Sequence, residues 1–73
     1  MIKTVDELKR GDIVIYRNGH INHVNYPKNY HSWYNKDFNQ LESKRWLDIV
    51  EIKRYEKVLW FYKLRTIYKR KEK

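Results

Sequence analysis

The sequence predicts a small, mainly β fold, and two observations carry that prediction. Residues 12–17 combine β-branched and aromatic side chains, and Asn18 and Gly19 follow them directly. An Asn-Gly pair between two apolar runs is the strongest short-range signal for a β-hairpin. Residues 46–54 contain a second β-branched run, and such side chains are stiff at χ1 and suit a pleated surface.

The elements are predicted in chain order from these runs and from the residues that interrupt them. The hairpin turn is expected to be of type I′, which needs positive φ at both Asn18 and Gly19. Pro27 ends the second strand, because proline cannot donate a hydrogen bond to a sheet ladder. The polar, tyrosine-rich residues that follow predict a loop or a weak strand, which Phe38 and Leu41 anchor to the core. The predicted strands lie near residues 12–17, 20–26, 46–54 and 65–70, and the loop covers residues 27–45.

Residues 55–64 fit the strand and helix patterns almost equally well. A short helix near 55–64 therefore stays open beside a strand. Four large rings in this region are expected to lie in the core, because so many neighbouring rings rarely all face water. These rings belong to Tyr55, Trp60, Phe61 and Tyr62.

Length and composition predict one small domain, residues 1–70, followed by a basic tail, residues 71–73. The chain has 73 residues and no cysteine, so apolar packing must stabilise it without disulfides or thiolate metal sites. Its longest apolar run, residues 58–62, is too short to cross a bilayer. The first residues lack the apolar run of a signal peptide. The expectation is a cytoplasmic protein that does not contact membranes.

Four short motifs occur in an order that is similar to a known group of proteins. They are GDIV before the Asn-Gly pair, YNKDF, LDIVEI and TIYKR, at residues 11–14, 34–38, 47–52 and 66–70. The arrangement resembles small, mostly uncharacterised phage and prophage proteins of Gram-positive bacteria. This chain departs from their pattern at Tyr68 and Lys69, where tryptophan and glutamate are usual. The resemblance implies an SH3-like or partly open β-barrel, expression in the cytoplasm of a bacterial host, and no catalytic residues.

The charge of the chain is concentrated in its last third. Residues 53–73 hold nine basic and two acidic side chains, which account for +7 of the net charge of +8. Cations interleaved with aromatic rings favour a nucleic acid, because phosphates attract the cations and bases stack on the rings. We therefore predict a non-enzymatic binding module with a basic C-terminal face and a stacking loop. The face comprises Lys63, Arg65, Lys69 and Arg70, and the loop comprises Lys28, Tyr30, Trp33, Tyr34 and Lys36.

Two other interpretations stay open. The chain could be a phage inhibitor or adaptor that binds an acidic surface of a host defence or replication protein through exposed rings near Trp33 or Trp60. It could also present only a solvated basic strand, with its aromatic rings covering the edges of a small core. A monomer and a homodimer are both compatible with the pattern, since an edge strand can pair with a second copy.

The histidines suggest no metal site and only a minor catalytic alternative. Three-residue spacing along a strand places His20 and His23 on opposite faces, so they do not converge on one ion. With no cysteine, a thiol nucleophile is excluded. A small basic ribonuclease would need His20 or His31 as the base and Arg17 or Lys28 beside the phosphate. We predict no enzyme, no metal and no cofactor.

Overall fold

The computed structural model describes residues 1–42 and 44–71. Within them lie four strands, one α-helix and two 3-10 turns. The predicted class, a small and mainly β fold that is partly open, is confirmed. The strands are β1 (Ile13–Tyr16), β2 (Ile21–His23), β3 (Ile49–Val58) and β4 (Phe61–Lys69), the helix is α1 (Pro27–Trp33), and the 3-10 turns are Val5–Glu7 and Arg45–Leu47.

The strands form one antiparallel sheet in the order β2-β1-β3-β4. The predicted hairpin is confirmed, but the prediction of a type I′ turn is wrong. Only Phe38 and Leu59 have positive φ among the described residues other than glycine, so Asn18 does not. The Gly19 N–H donates to the Tyr16 carbonyl at 2.8 Å, and Gly19 has a φ of 88°. This geometry is typical of a three-residue loop that ends in a left-handed glycine.

The α-helix corrects the predicted loop or weak strand at its N-terminal end. Pro27 occupies the first turn of α1, where a proline ring presets φ and the missing N–H is not needed. Tyr30 and Tyr34 follow at helical spacing and are both buried, at 3% and 5% exposed. Burial of this aromatic face stabilises a helix that is too short to form alone.

The structure also settles the segment that fitted both patterns. Residues 55–58 continue β3 and residues 61–64 begin β4, so the alternative of a short helix near 55–64 is wrong. The predicted start of the third strand, residue 46, is three residues too early, because residues 45–47 form a 3-10 turn and β3 begins at Ile49. The basic tail begins with the exposed Lys71, and residues 72 and 73 lie outside the described residues.

The core lies on one face of the sheet, beneath α1 and the segments that flank it. Phe38 is 1% exposed, as predicted, and its ring stacks on Tyr68 with centroids 3.9 Å apart. Leu41 was expected to share this role but is exposed. The core residues are Val5, Leu8, Val14, Val24, Tyr30, Tyr34, Phe38, Ile49, Ile52 and Ile67. None of the described helices has the length and apolarity that a membrane crossing requires.

Candidate binding surface on the β3–β4 arm

The far end of the β3–β4 hairpin extends beyond the rest of the sheet. Strand β1 pairs with β3 only as far as Lys53, which lies opposite Ile13. Beyond that point β3 pairs with β4 alone, through to Val58 opposite Phe61. We call residues 54–65 the arm. It is a two-stranded ribbon on a molecule that measures 42 Å along its longest axis.

The register assigns each arm residue to one of two faces, because paired residues share a face and successive residues alternate. The outer face carries Tyr55 opposite Leu64 and Lys57 opposite Tyr62. It continues the side of the sheet that points away from the core. The inner face continues the core side and carries Arg54 opposite Arg65, Glu56 opposite Lys63, and Val58 opposite Phe61.

The aromatic residues of the arm face solvent, which corrects the prediction that they lie in the core. Trp60 is 84% exposed, Tyr62 68%, Tyr55 56% and Phe61 46%. The core is filled instead by the tyrosines of α1 and by Phe38. Exposed aromatic rings at this density make the arm a candidate interaction surface.

The tip of the arm is apolar and strained. Leu59 and Trp60 form the two-residue turn and are 74% and 84% exposed. Leu59 has a φ of 56°, a conformation that is unfavourable for a residue with a branched side chain. The Trp60 and Phe61 rings meet edge to face with centroids 6.2 Å apart. The turn thus presents apolar side chains where glycine or asparagine would be easier to place.

Both arginines of the arm form ion pairs within the protein. Arg54 donates to both oxygens of the buried Asp12, at 2.7 and 2.8 Å, and this pairing raises the pKa of Arg54. Arg65 pairs with Glu56 at 3.1 Å in a contact that is open to solvent. Among the described residues no ion pair involves Lys57 or Lys63. The lysines therefore supply most of the positive charge that a partner would meet on the arm.

Two more lysines extend the outer face toward the centre of the sheet. Lys53 and Lys69 lie on this face by register, with Lys69 opposite Glu51. Lys53 approaches Glu51 at 3.9 Å, and Glu51 also accepts a hydrogen bond from the Thr66 hydroxyl at 3.2 Å. Tyr55 of the arm thus lies between Lys53 and Lys57, and Tyr62 lies opposite Lys57. Lys69 lies farther along the same face.

The predicted stacking loop does not form a single exposed platform. The Tyr34 hydroxyl donates to the Leu47 carbonyl at 2.6 Å, and the Tyr30 hydroxyl accepts a hydrogen bond from Asn22 Nδ2 at 2.7 Å. Burial raises the pKa of both tyrosines. Trp33 is half exposed, and Lys28 and Lys36 are exposed. The interpretation of Tyr30 and Tyr34 as solvent-facing rings is therefore corrected, because both are core residues.

The predicted basic face is divided among three places. Lys63 and Arg65 lie on the inner face of the arm, and Lys69 lies on the outer face. Arg70 donates to the carbonyls of Ile49 and Phe38, at 3.1 and 3.0 Å, and so joins β4 to the loop before β3.

Sequence reasoning missed Lys53, Tyr55, Lys57 and Tyr62 as members of one surface. The signal was present, since alternate residues from Lys53 to Lys57 share one strand face. It could be used only once residues 55–64 were known to be strands. The register then added Tyr62 from the opposite strand.

The three histidines lie in different elements of the fold. Among the described residues, no group of three or more histidine, cysteine or carboxylate side chains could hold an ion. His20 lies in the β1–β2 turn, His23 ends β2 and His31 belongs to α1.

Comparison with protein-family models, with curated proteins and with solved structures finds no match for this chain.

Proposed function

We propose that this protein is a non-enzymatic module that binds single-stranded nucleic acid through the outer face of the arm and the adjoining sheet. One observation carries the proposal. Tyr55 and Tyr62 lie exposed on one sheet face together with Lys53, Lys57 and Lys69. A flat surface with accessible rings and flanking cations offers stacking to bases and ion pairs to phosphates.

The register favours a single strand over a duplex. Tyr55 lies opposite Leu64 and Tyr62 lies two residues before Leu64, so the two tyrosines are diagonal neighbours. Diagonal positions in an antiparallel pair are about 7–8 Å apart. Bases in a duplex are stacked at about 3.4 Å and offer no free face to a ring between them. Tyr55 and Tyr62, about 7–8 Å apart, can each stack on a base only if that base is not stacked on its neighbour, as in a single strand.

Binding is expected to depend on salt in proportion to the lysines engaged. Three lysines on three phosphates predict a slope of about −2 in a plot of log affinity against log salt concentration, since each contact to a single strand contributes about −0.7. Fluorescence anisotropy of a labelled oligothymidylate in rising salt measures this slope. Absence of binding at low salt would contradict the proposal.

The tyrosines provide the sharper test. Tyr55→Ala with Tyr62→Ala should weaken oligothymidylate binding by at least about tenfold, because each stacked base contributes about 1–3 kcal/mol. The double Tyr→Phe variant keeps the rings and should bind like the native protein. Tyr26→Ala removes a tyrosine that is 71% exposed outside the arm, and it should change affinity less than about twofold. Equal losses in Tyr26→Ala and the double alanine variant would contradict the assignment of the site.

A second candidate function rests on the tip of the arm. Leu59 and Trp60 are apolar, exposed and held in a strained turn, as suits an anchor that fills a pocket of a partner protein. Lys57 and Lys63 beside them would meet an acidic rim. This is the inhibitor or adaptor interpretation, with a host protein as the partner.

Two affinity purifications from host lysate, one treated with nuclease and one untreated, separate the two candidates. A stoichiometric protein partner that is retained by the native chain and by Tyr55→Ala, but lost with Trp60→Ala, supports the adaptor. Recovery of nucleic acid alone from an untreated lysate, with loss in the Tyr55 and Tyr62 variants, supports the first proposal. The phage origin, the cytoplasmic location and the choice between monomer and homodimer stay predictions.

A further inference from the structure

A second charged feature lies at the opposite end of β3 and β4 from the tip of the arm. Three arginines from different parts of the chain line a cavity of about 290 Å³ beside the start of β3 and the end of β4. Arg17 comes from the β1–β2 turn, Arg45 from the second 3-10 turn and Arg70 from the residue after β4. Asn39, Gln40 and Asp48 complete the lining.

Two of the guanidinium groups are held in place by main-chain acceptors. Arg17 Nε donates to the Arg45 carbonyl at 3.1 Å, and the Arg17 backbone N–H, outside the guanidinium group, donates to the Asp48 carbonyl at 2.9 Å. Arg70 Nε donates to the Ile49 carbonyl at 3.1 Å, and Arg70 Nη2 to the Phe38 carbonyl at 3.0 Å. A ligand would therefore find these groups already oriented, which lowers the entropic cost of binding.

The lining of the cavity contains more cationic than anionic side chains. Asp48 is 5% exposed and accepts from the Gln40 N–H at 2.8 Å, and its other oxygen lies 3.4 Å from Arg17 Nη2. Asp48 is the one carboxylate among the lining residues, which include three arginines. Arg45 is exposed and its side chain makes no ion pair among the described residues. It is the most available donor at the mouth of the cavity.

We propose that this cavity binds a phosphate monoester group. Guanidinium forks match the paired oxygens of a phosphate, and arginines from three separate segments suit a tetrahedral anion better than a planar carboxylate. The volume lies at the lower end of the range for ligand pockets, so the occupant is small. It is a free phosphate monoester or the terminal phosphate of a bound strand. The proposal does not depend on the outer face of the arm.

The first experiment measures binding of inorganic phosphate by ¹H–¹⁵N NMR at constant ionic strength, with chloride as the reference anion. Amide and guanidinium signals of Arg17, Gln40, Arg45 and Arg70 should shift with phosphate and not with chloride. Arg45→Gln should weaken phosphate binding by about tenfold or more, because a hydrogen bond to a charged group is lost. Its exposed side chain makes the variant suitable, since the fold and the melting temperature should stay unchanged.

Lys63→Gln is the matched control, because it removes one positive charge on the arm and should leave phosphate binding within about twofold. Equal weakening by Arg45→Gln and Lys63→Gln would overturn the proposal, since it would show a general effect of net charge. Shifts that are the same for phosphate and chloride would also overturn it. If the occupant is a strand terminus, a 5′-phosphorylated oligothymidylate should bind more tightly than the unphosphorylated one, and Arg45→Gln should abolish the difference. If it is a free monoester, phenyl phosphate should bind and the two oligonucleotides should not differ.

Discussion

At the scale of single residues, the pairing of Asp12 with Arg54 shows how charge that looks available in the sequence is used within the protein. Asp12 is 1% exposed, and its carboxylate also accepts from the Lys9 N–H at 2.9 Å. Arg54 closes over it with two parallel hydrogen bonds and donates a third to the Glu7 carbonyl at 3.1 Å. The two residues are 42 positions apart, so a count of charges along the chain could not pair them.

Asp12→Asn should lower the free energy of unfolding by about 2–4 kcal/mol, because it leaves the partly buried Arg54 without its counter-charge. Urea unfolding measures the loss. Glu56→Gln removes the carboxylate of the other arginine pair, in which both side chains are more than half exposed, and should cost no more than about 1 kcal/mol. Similar losses in the two variants would show that burial does not distinguish these pairs.

The buried tyrosines predict a loss of stability at alkaline pH. Burial raises the pKa of Tyr30 and of Tyr34 above the ordinary value of 10.0. The unfolded chain therefore releases these protons first, so their contribution is complete below pH 10 and declines as the pH rises from there toward the folded pKa.

Tyr30→Phe should reduce the alkaline slope, although it costs about 0.5–1.5 kcal/mol at neutral pH through the lost hydrogen bonds of the hydroxyl. Urea midpoints recorded from neutral pH to about pH 11 check both effects. An alkaline slope that is the same in Tyr30→Phe and in the native protein would contradict the assignment.

At the scale of elements, the two hairpins differ in whether their turn residues favour the turn conformation. Gly19 occupies the left-handed position of the first loop, which is the residue type that this conformation favours. The second turn has Leu59 in the left-handed region, and the sequence there contains neither glycine nor asparagine. A turn built from apolar residues gives no turn signal, so the arm could not be separated from a helix by local rules.

Leu59→Gly should raise the free energy of unfolding by about 0.5–1 kcal/mol, since relief of about 1–2 kcal/mol of left-handed strain exceeds the extra entropy of glycine in the unfolded chain. This corresponds to an increase of about 2–8 °C in the melting temperature, measured by circular dichroism. Leu59→Ala removes the same side chain but keeps the strained conformation, and should not gain stability. Equal melting temperatures for the two variants would argue against strain at this turn.

Helix α1 was not predicted, because its formation depends on contacts distant in the sequence. Pro27 is a helical start, and Tyr30 shares a helical face with Tyr34, the residue that caps α1. The same sequence also allows Pro27 to end a strand and the polar residues after it to form a loop. Which interpretation holds depends on the sheet, because the tyrosines need an apolar surface on which to pack. The β-branched strands were predictable because their side chains favour the pleat locally, whereas α1 is stabilised by distant contacts.

At the scale of the whole molecule, the basic residues of the last third of the chain have different structural roles. Arg54 and Arg70 hold the fold together, the lysines of the outer face lie beside exposed tyrosines, and Arg70 also lines the cavity at the far end. A basic C-terminal face was the natural prediction from the sequence. Because β3 and β4 are adjacent and antiparallel, the chain instead places these cations on two sides and at two ends of one hairpin.

The division of the sheet into a packed part and an arm predicts unequal protection from hydrogen exchange. Ile52 is fully buried between β1 and β4, so exchange of its amide requires opening of the packed sheet. Amides of the arm lie in a two-stranded ribbon, and such a ribbon is marginally stable in water and opens locally. Native-state exchange followed by NMR should give protection at least about tenfold lower for paired amides of residues 55–57 and 62–64 than for those of residues 51 and 52.

Ligand binding then tests the site and the fold together. Oligothymidylate should raise the protection of the arm amides more than that of residues 51 and 52, because both stacking tyrosines lie in the arm. Tyr55→Ala with Tyr62→Ala is the matched control and should show the same exchange with and without the oligonucleotide. If arm and core amides exchanged at one common rate in the free protein, the arm would be part of a single cooperative unit and the division of the sheet would be wrong.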